Sequence, residues 1–145
     1  MTPREFWTPI VEHPSVEPYS LCGMATIEDF LWWLDLPEVH EERGDMGGLV
    51  FVDKGSFHEL HAAFLPEAWG RKVAESIRPM IARKMLEIEE IQLGEQEGVW
   101  RTRPPLSHGW KPVGEYEESA LPRRLKRWRL TRDAWYSSPV GRKFR

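Results

Sequence analysis

The sequence predicts an α+β fold, a mixed and mostly antiparallel sheet flanked by helices. Three observations predict it. Apolar residues recur at helical spacing in two N-terminal segments and again between Gly70 and Leu86. Phe57 to Leu65 alternates at the period of a strand, beside the short apolar run Gly48 to Val52. Two more strand-like runs close the chain after a proline-bound stretch, giving the order helices, strand pair, helix, strand, hairpin.

From Pro3 to Ser20, the residues Phe6, Trp7, Ile10 and Val11 fall at helix-like spacing before Pro14 and Pro18 break the pattern. A second helix starts at Thr26, with Asp29 three residues on as a capping-box partner; Ile27, Phe30, Leu31 and Leu34 form its buried stripe. Asp35 to Gly48 is acidic and turn-rich, and is expected to be a loop. Gly48 to Val52 is a strand, Asp53-Lys54-Gly55-Ser56 a turn, and Phe57 to Leu65 a strand with Phe57, Glu59, His61 and Ala63 on one face. Pro66 ends it. Gly70 to Leu86 sets Val73, Ala74, Ile77, Met80 and Ile81 on one face, and Pro79 should kink or split this helix. Ile88 to Leu93 is a strand, Gly94 to Gly98 a polar turn, and Arg101 to Pro105 too proline-bound for a regular helix. Lys111 to Glu118 and Leu125 to Leu130 form the last two strands, with a short end around Asp133 to Tyr136.

A chain of 145 residues with 41% hydrophobic and 30% charged residues can close one core, so a single domain over 1–145 is expected. Its apolar runs are too short to span a bilayer, and the N-terminus lacks a basic-then-apolar leader. Cys22 is the only cysteine, which fits a reducing compartment and leaves no disulfide within the chain. The charge is uneven. Leu121 to Arg145 holds nine basic residues against one acid, a local +8 that leaves −11 on the rest of a chain of net charge −3. Such a segment either faces something negative, nucleic acid or an acidic protein surface, or solvates an edge strand against aggregation.

The most informative stretch runs from Glu59 to Ala74: a strand ends in a proline turn, a glycine follows, and a helix begins. The first amides of a helix have no partner within it, and its dipole favours negative charge, so such a turn suits a pyrophosphate. This stretch resembles the acetyl-CoA motif of the GNAT (GCN5-related N-acetyltransferase) family. Phe64-Leu65-Pro66-Glu67 matches the entry to that motif, and Gly70 and Ala74 match two of its small positions. Ser107 to Glu117 resembles the family's late "GF-x-x-x-G" strand, with Trp110 in the aromatic position. His13-Pro14-Ser15-Val16 and the closing Trp128 to Trp135 look like a bacteriophage-encoded branch, whose members are labelled acetyltransferases or head-assembly proteins.

The resemblance implies that acetyl-CoA is held at Phe64, Leu65, Trp69, Gly70, Arg71, Lys72, Val73 and Ala74. Amides from Trp69 to Ala74 would cradle the pyrophosphate, and the Ala63 to Leu65 backbone would pair with the pantetheine arm. The loop departs from the family in two places: Trp69 stands for its arginine and Lys72 for its central glycine. An enzyme of this kind needs a base for the acceptor amine and commonly a tyrosine acid for the departing thiolate. Glu59 is the base candidate, with His61 second, against the plainer reading of a strand carboxylate paired with a cation. Tyr116 is the acid candidate, although Arg101 to Pro105 replaces the helix that supplies this tyrosine in the family. His58 and His61 flank one strand with no third ligand nearby, so no metal is expected. Eight tryptophans exceed what one small core takes in, and some suit an interface, with Trp110 and Trp128 expected in the core.

Two functions follow from these residues. One is a phage structural or virion-assembly protein on a GNAT-like fold with an altered acetyl-CoA loop, part of an oligomeric assembly with other virion proteins. The other is an active acetyl-CoA-dependent N-acetyltransferase. The expected setting is host cytoplasm or virion, with no membrane, and the basic segment at 121–145 offers a contact for nucleic acid.

Overall fold

The computed structural model describes residues 1–17, 26–96, 103–118 and 124–145, with the backbone alone at 115–118 and 124. Helices α1 (Pro3–Val11) and α2 (Ile27–Leu34) come first. Strands β1 (Val39–Arg43), β2 (Gly47–Asp53) and β3 (His58–Phe64) follow, then α3 (Arg71–Met85), β4 (Glu90–Gln96), β5 (Lys111–Glu118), β6 (Arg124–Thr131) and α4 (Arg132–Ser137). They build one six-stranded sheet in the order β1-β2-β3-β4-β6-β5. Every neighbouring pair is antiparallel except β3 and β4, which the α3 crossover makes parallel.

The expected α+β class is what the chain adopts. Thr2 caps α1 and Thr26 caps α2, the latter accepting from the Asp29 amide at 3.1 Å. Alternation along β2 sorts its side chains to two cores. On the front face, Val50, Val52 and Ala63 meet Trp7, Ile10, Val11 and Phe30 of α1 and α2. On the back face, Leu49, Phe51, Leu60, Phe64, Ile91, Trp128 and Leu130 meet Ile77, Met80, Ile81 and Met85 of α3 and Trp135 of α4.

Several expectations are corrected. Asp35 to Gly48 is not all loop, because β1 lies within it. That strand is an edge with polar and charged residues on both faces, His40 and Glu42 on one and Glu41 and Arg43 on the other, and this charge hides its pattern while protecting the edge. Helix α3 is not split at Pro79, which sits on its exposed side, where the carbonyl left without an N–H partner stays near solvent. Strand β4 runs on through Gly94 to Gln96, taking the first three residues of the expected polar turn, because β6 pairs with it along that length. The end around Asp133 is a helix, capped by Thr131. Cys22, Trp100 and residues 97–98 and 101–102 lie outside the described residues.

Candidate functional site

Strands β3 and β4 share two registered pairs, His58↔Ile91 and Glu59↔Gln92. Both strands continue, β3 to Phe64 and β4 to Gln96, so the sheet opens as a wedge toward their carboxyl ends. The register of β3 on β2, with the Leu65 amide donating to Met46 O at 2.8 Å, turns the backbone of Glu59, His61, Ala63 and Leu65 toward β2. The backbone of Ala62 and Phe64 therefore faces the wedge. Of the stretch Ala63 to Leu65, Phe64 alone is so placed. A crevice beyond the carboxyl ends of parallel strands is where sheets of this kind take ligands.

The turn above the wedge is built by Pro66–Ala68, a single 3₁₀ turn, then Trp69 and Gly70. Gly70 has φ 91° and ψ −125°, a conformation open to glycine and costly for other residues, although the space around it would admit a side chain. The first helical bond of α3 runs from the Ala74 amide to Gly70 O at 3.1 Å. The amides of Arg71, Lys72 and Val73 thus lie outside the ladder, with no side-chain cap and no acidic residue in the first turn. Arg71 and Lys72 are both exposed there, Arg71 pairing with Glu75 at 2.8 Å. The positive end of this helix is open for an anion.

Trp69 turns its indole N–H back to β3. Its indole N–H donates to Phe64 O at 2.9 Å, and its ring packs against both the front and the back core.

On the front face beside the wedge, Glu59 and His61 are two positions apart on β3. The imidazole Nε2 donates to Glu59 Oε1 at 2.7 Å, and Arg127 of β6 lies 4.0 Å from Oε2. All three are about one-quarter exposed. The His61 hydrogen bond, helped by the charges of His61, Lys54 and Arg127, holds the Glu59 carboxyl below the usual carboxylate range despite its burial. Trp33 of α2 meets the imidazole edge-on at 5.4 Å. Arg127 stands opposite Gly94 in the register, and the Leu125 side chain covers the space over that glycine.

The sequence candidates are thus partly brought together. Glu59 and His61 meet, and Gly70 to Ala74 form the open helix start. Tyr116 lies in β5, three strands away from β3 and roughly 14 Å at ordinary strand spacing, and its side chain is outside the described residues. Arg127 was missed as a partner of Glu59, since nothing local marks one arginine in a basic segment for a carboxylate two strands away. His58 faces the side of the sheet opposite to His61, and no metal-binding group of three ligands occurs among the described residues.

No family model matches the sequence, and no curated protein matches it. Solved structures do. An N-acyl amino acid synthase from uncultured soil microbes superposes with a TM-score of 0.68 at 16% identity, over 100% of this chain and 96% of its own. A protein provisionally described as an acetyltransferase gives 0.69 at 16% identity, over 97% and 82%. The fold is that of the GNAT acyltransferases. The spermidine N-acetyltransferase of Vibrio cholerae, solved with CoA and spermine, gives 0.55 at 13% identity over 79% and 80%. In this GNAT fold the wedge between β3 and β4 and the open start of α3 share one end of the sheet. No helix among the described residues is long and apolar enough to cross a membrane.

Proposed function

We propose that the chain is a CoA-dependent N-acyltransferase, with acetyl-CoA as donor and an amine as acceptor. The observation that carries this reading is the wedge between β3 and β4 beneath an uncapped, acid-free helix start. The residues fit the nucleotide: the amides of Arg71, Lys72 and Val73 take the pyrophosphate, and Arg71 and Lys72 add charge. Phe64 and Ala62 offer backbone groups to the amides of the pantetheine arm. A relative in fold is known with CoA and a polyamine bound, which supports the same ligand here.

Acetyl-CoA supplies a thioester: the acyl carbon gains a bond to the amine nitrogen and loses its bond to sulfur. Glu59 and His61 act as one proton-accepting unit, the carboxylate fixing the imidazole and the pair receiving the proton that the amine sheds. The His61 hydrogen bond, with smaller help from the charges of Lys54 and Arg127, keeps Glu59 ionised. A thiolate, with an ordinary pKa of about 8.5, departs without a dedicated acid, so the remoteness of Tyr116 does not prevent the step.

A second reading, a virion-assembly protein that keeps the fold without the chemistry, is supported by Trp32, which is 69% exposed on α2. Calorimetric titration with CoA and with 3′-phosphoadenosine 5′-diphosphate, its nucleotide half, separates the two. Micromolar CoA binding that drops at least tenfold in Gly70→Val supports the enzyme. Heat from neither ligand at millimolar concentration overturns it in favour of the assembly reading.

A further inference from the structure

The Trp69 side chain has no place in the reaction just described, yet it occupies the centre of the proposed site. Among the described residues it is the partly buried one that packs against both cores, the one beneath α1 and α2 and the one beneath α3 and α4. A side chain reaches both faces of a sheet only around its end or through an opening in it. Here it does so at the carboxyl end of β3, where the pairing with β4 has already ceased. The Phe64 carbonyl points toward the side that β4 has left, and the indole N–H arrives at it from that side at 2.9 Å. The tryptophan thus supplies the donor that a neighbouring strand would otherwise supply.

We infer that Trp69 is a displaceable stopper of the wedge, competing with the amide-bearing arm of a CoA ligand for the edge of β3 at Phe64. This rests on the CoA reading above. A pantetheine arm is a chain of two secondary amides, chemically a short stretch of backbone, and would bond to a free strand edge as a strand does. A carbonyl has two lone pairs, but the bulk of the indole covers the side from which the arm must come. Binding therefore requires the ring to swing out. The amides of Arg71 to Val73 have no side-chain cap, and the indole N–H is engaged at Phe64 instead, so the nucleotide half of the ligand binds without that movement. Trp69 thereby separates the affinity for the nucleotide from the affinity for the arm.

The test compares wild type, Trp69→Phe and Trp69→Ala by calorimetry, titrating CoA and 3′-phosphoadenosine 5′-diphosphate in parallel. The phenylalanine variant keeps the apolar packing and lacks the donor; the alanine variant also clears the space. CoA should bind about fivefold more tightly in Trp69→Phe, the scale of one hydrogen bond, while the nucleotide half is unchanged. The wild-type indole N–H resonance, assigned by its loss in Trp69→Phe, should shift on adding CoA and stay still on adding the nucleotide half. CoA affinity that is unchanged or lower in both variants overturns the stopper and leaves the CoA reading standing. An equal gain for both ligands also overturns it, since that marks a general change in the loop. Binding of neither ligand by any of the three proteins removes the CoA reading and the stopper with it.

Discussion

Glu59 is held by a neighbour on its own strand and by an arginine two strands away. The carboxylate accepts from His61 and faces Arg127, and both favour its charged form. A carboxylate held so low is weakly basic by itself, and this is why the pair with His61, rather than Glu59 alone, receives the proton. Replacing Glu59 by Gln keeps the shape and removes the charge that fixes the imidazole. The expected result is a fall in kcat/KM of about 100-fold or more, the ordinary scale of a general base, with CoA affinity changed less than about twofold. An acyl-transfer assay on purified Glu59→Gln decides it, and an unchanged rate would remove Glu59 from the chemistry. That Glu59 and His61 share a face was legible from strand alternation alone. Arg127 was not, because its tie to Glu59 depends on how β6 lies beside β4. At Trp69 the sequence showed a bulky residue in a phosphate loop; only the folded chain shows the ring turned down toward Phe64.

The elements legible in the sequence were those with a marked apolar pattern. Helices α1, α2 and α3 and strands β3 and β6 set apolar residues against polar neighbours, and β2 is an apolar run buried on both faces. Strand β1 escaped because it carries polar or charged residues on both faces, with Val39 its only apolar residue. The wedge was not legible at all, since where a parallel pair stops bonding is fixed by the path of α3 between its strands. That path is anchored at the far end of the helix. Arg132 of α4 donates to Met85 O at 2.8 Å and to Ile88 O at 2.9 Å, one carbonyl at the last residue of α3 and one in the turn that follows it. This arginine, one of the nine in the basic segment, is thus engaged within the fold. Arg132→Ala should lower stability by about 1–3 kcal/mol, because two carbonyls lose a charged, forked donor. Denaturant unfolding measures the loss. Ligand affinity at the opposite end of α3 should hold within about twofold, and Arg132→Lys should recover part of the stability.

At the scale of the whole molecule, the two cores differ in what acid does to them. The back core contains His108, fully buried, edge-on to Trp135 at 5.7 Å, with neither ring nitrogen hydrogen-bonded among the described residues. Burial, reinforced by the charge of Arg78, pushes its pKa down to about 4 from the ordinary 6.5. The unfolded chain therefore takes up this proton first as pH falls. Between about pH 6.5 and pH 4 it binds more protons than the folded chain, so the stability linked to His108 is complete above that window and lost through it. The loss is on the order of 3 kcal/mol at the low end, a large share of what a chain this size commands. Glu59 acts in a lower window: its folded-state value lies below the ordinary 4.5, so its contribution is present above that value and lost as pH falls further. His108→Leu removes the larger part of the first window, to which His58, also lowered by burial, adds a smaller share, and leaves the second. Its urea midpoint should decline less steeply from pH 7 to pH 5 than that of wild type. Parallel slopes for the two proteins would place the acid sensitivity elsewhere than at His108. The back core is closed by α4 and the 3₁₀ turn Gly141–Phe144, with Val140 buried beside Trp135. Protonating His108 charges the interior of that closure, and hydrogen exchange near pH 5 should show α4 losing protection before α1 and α2, whose core holds no buried histidine among the described residues.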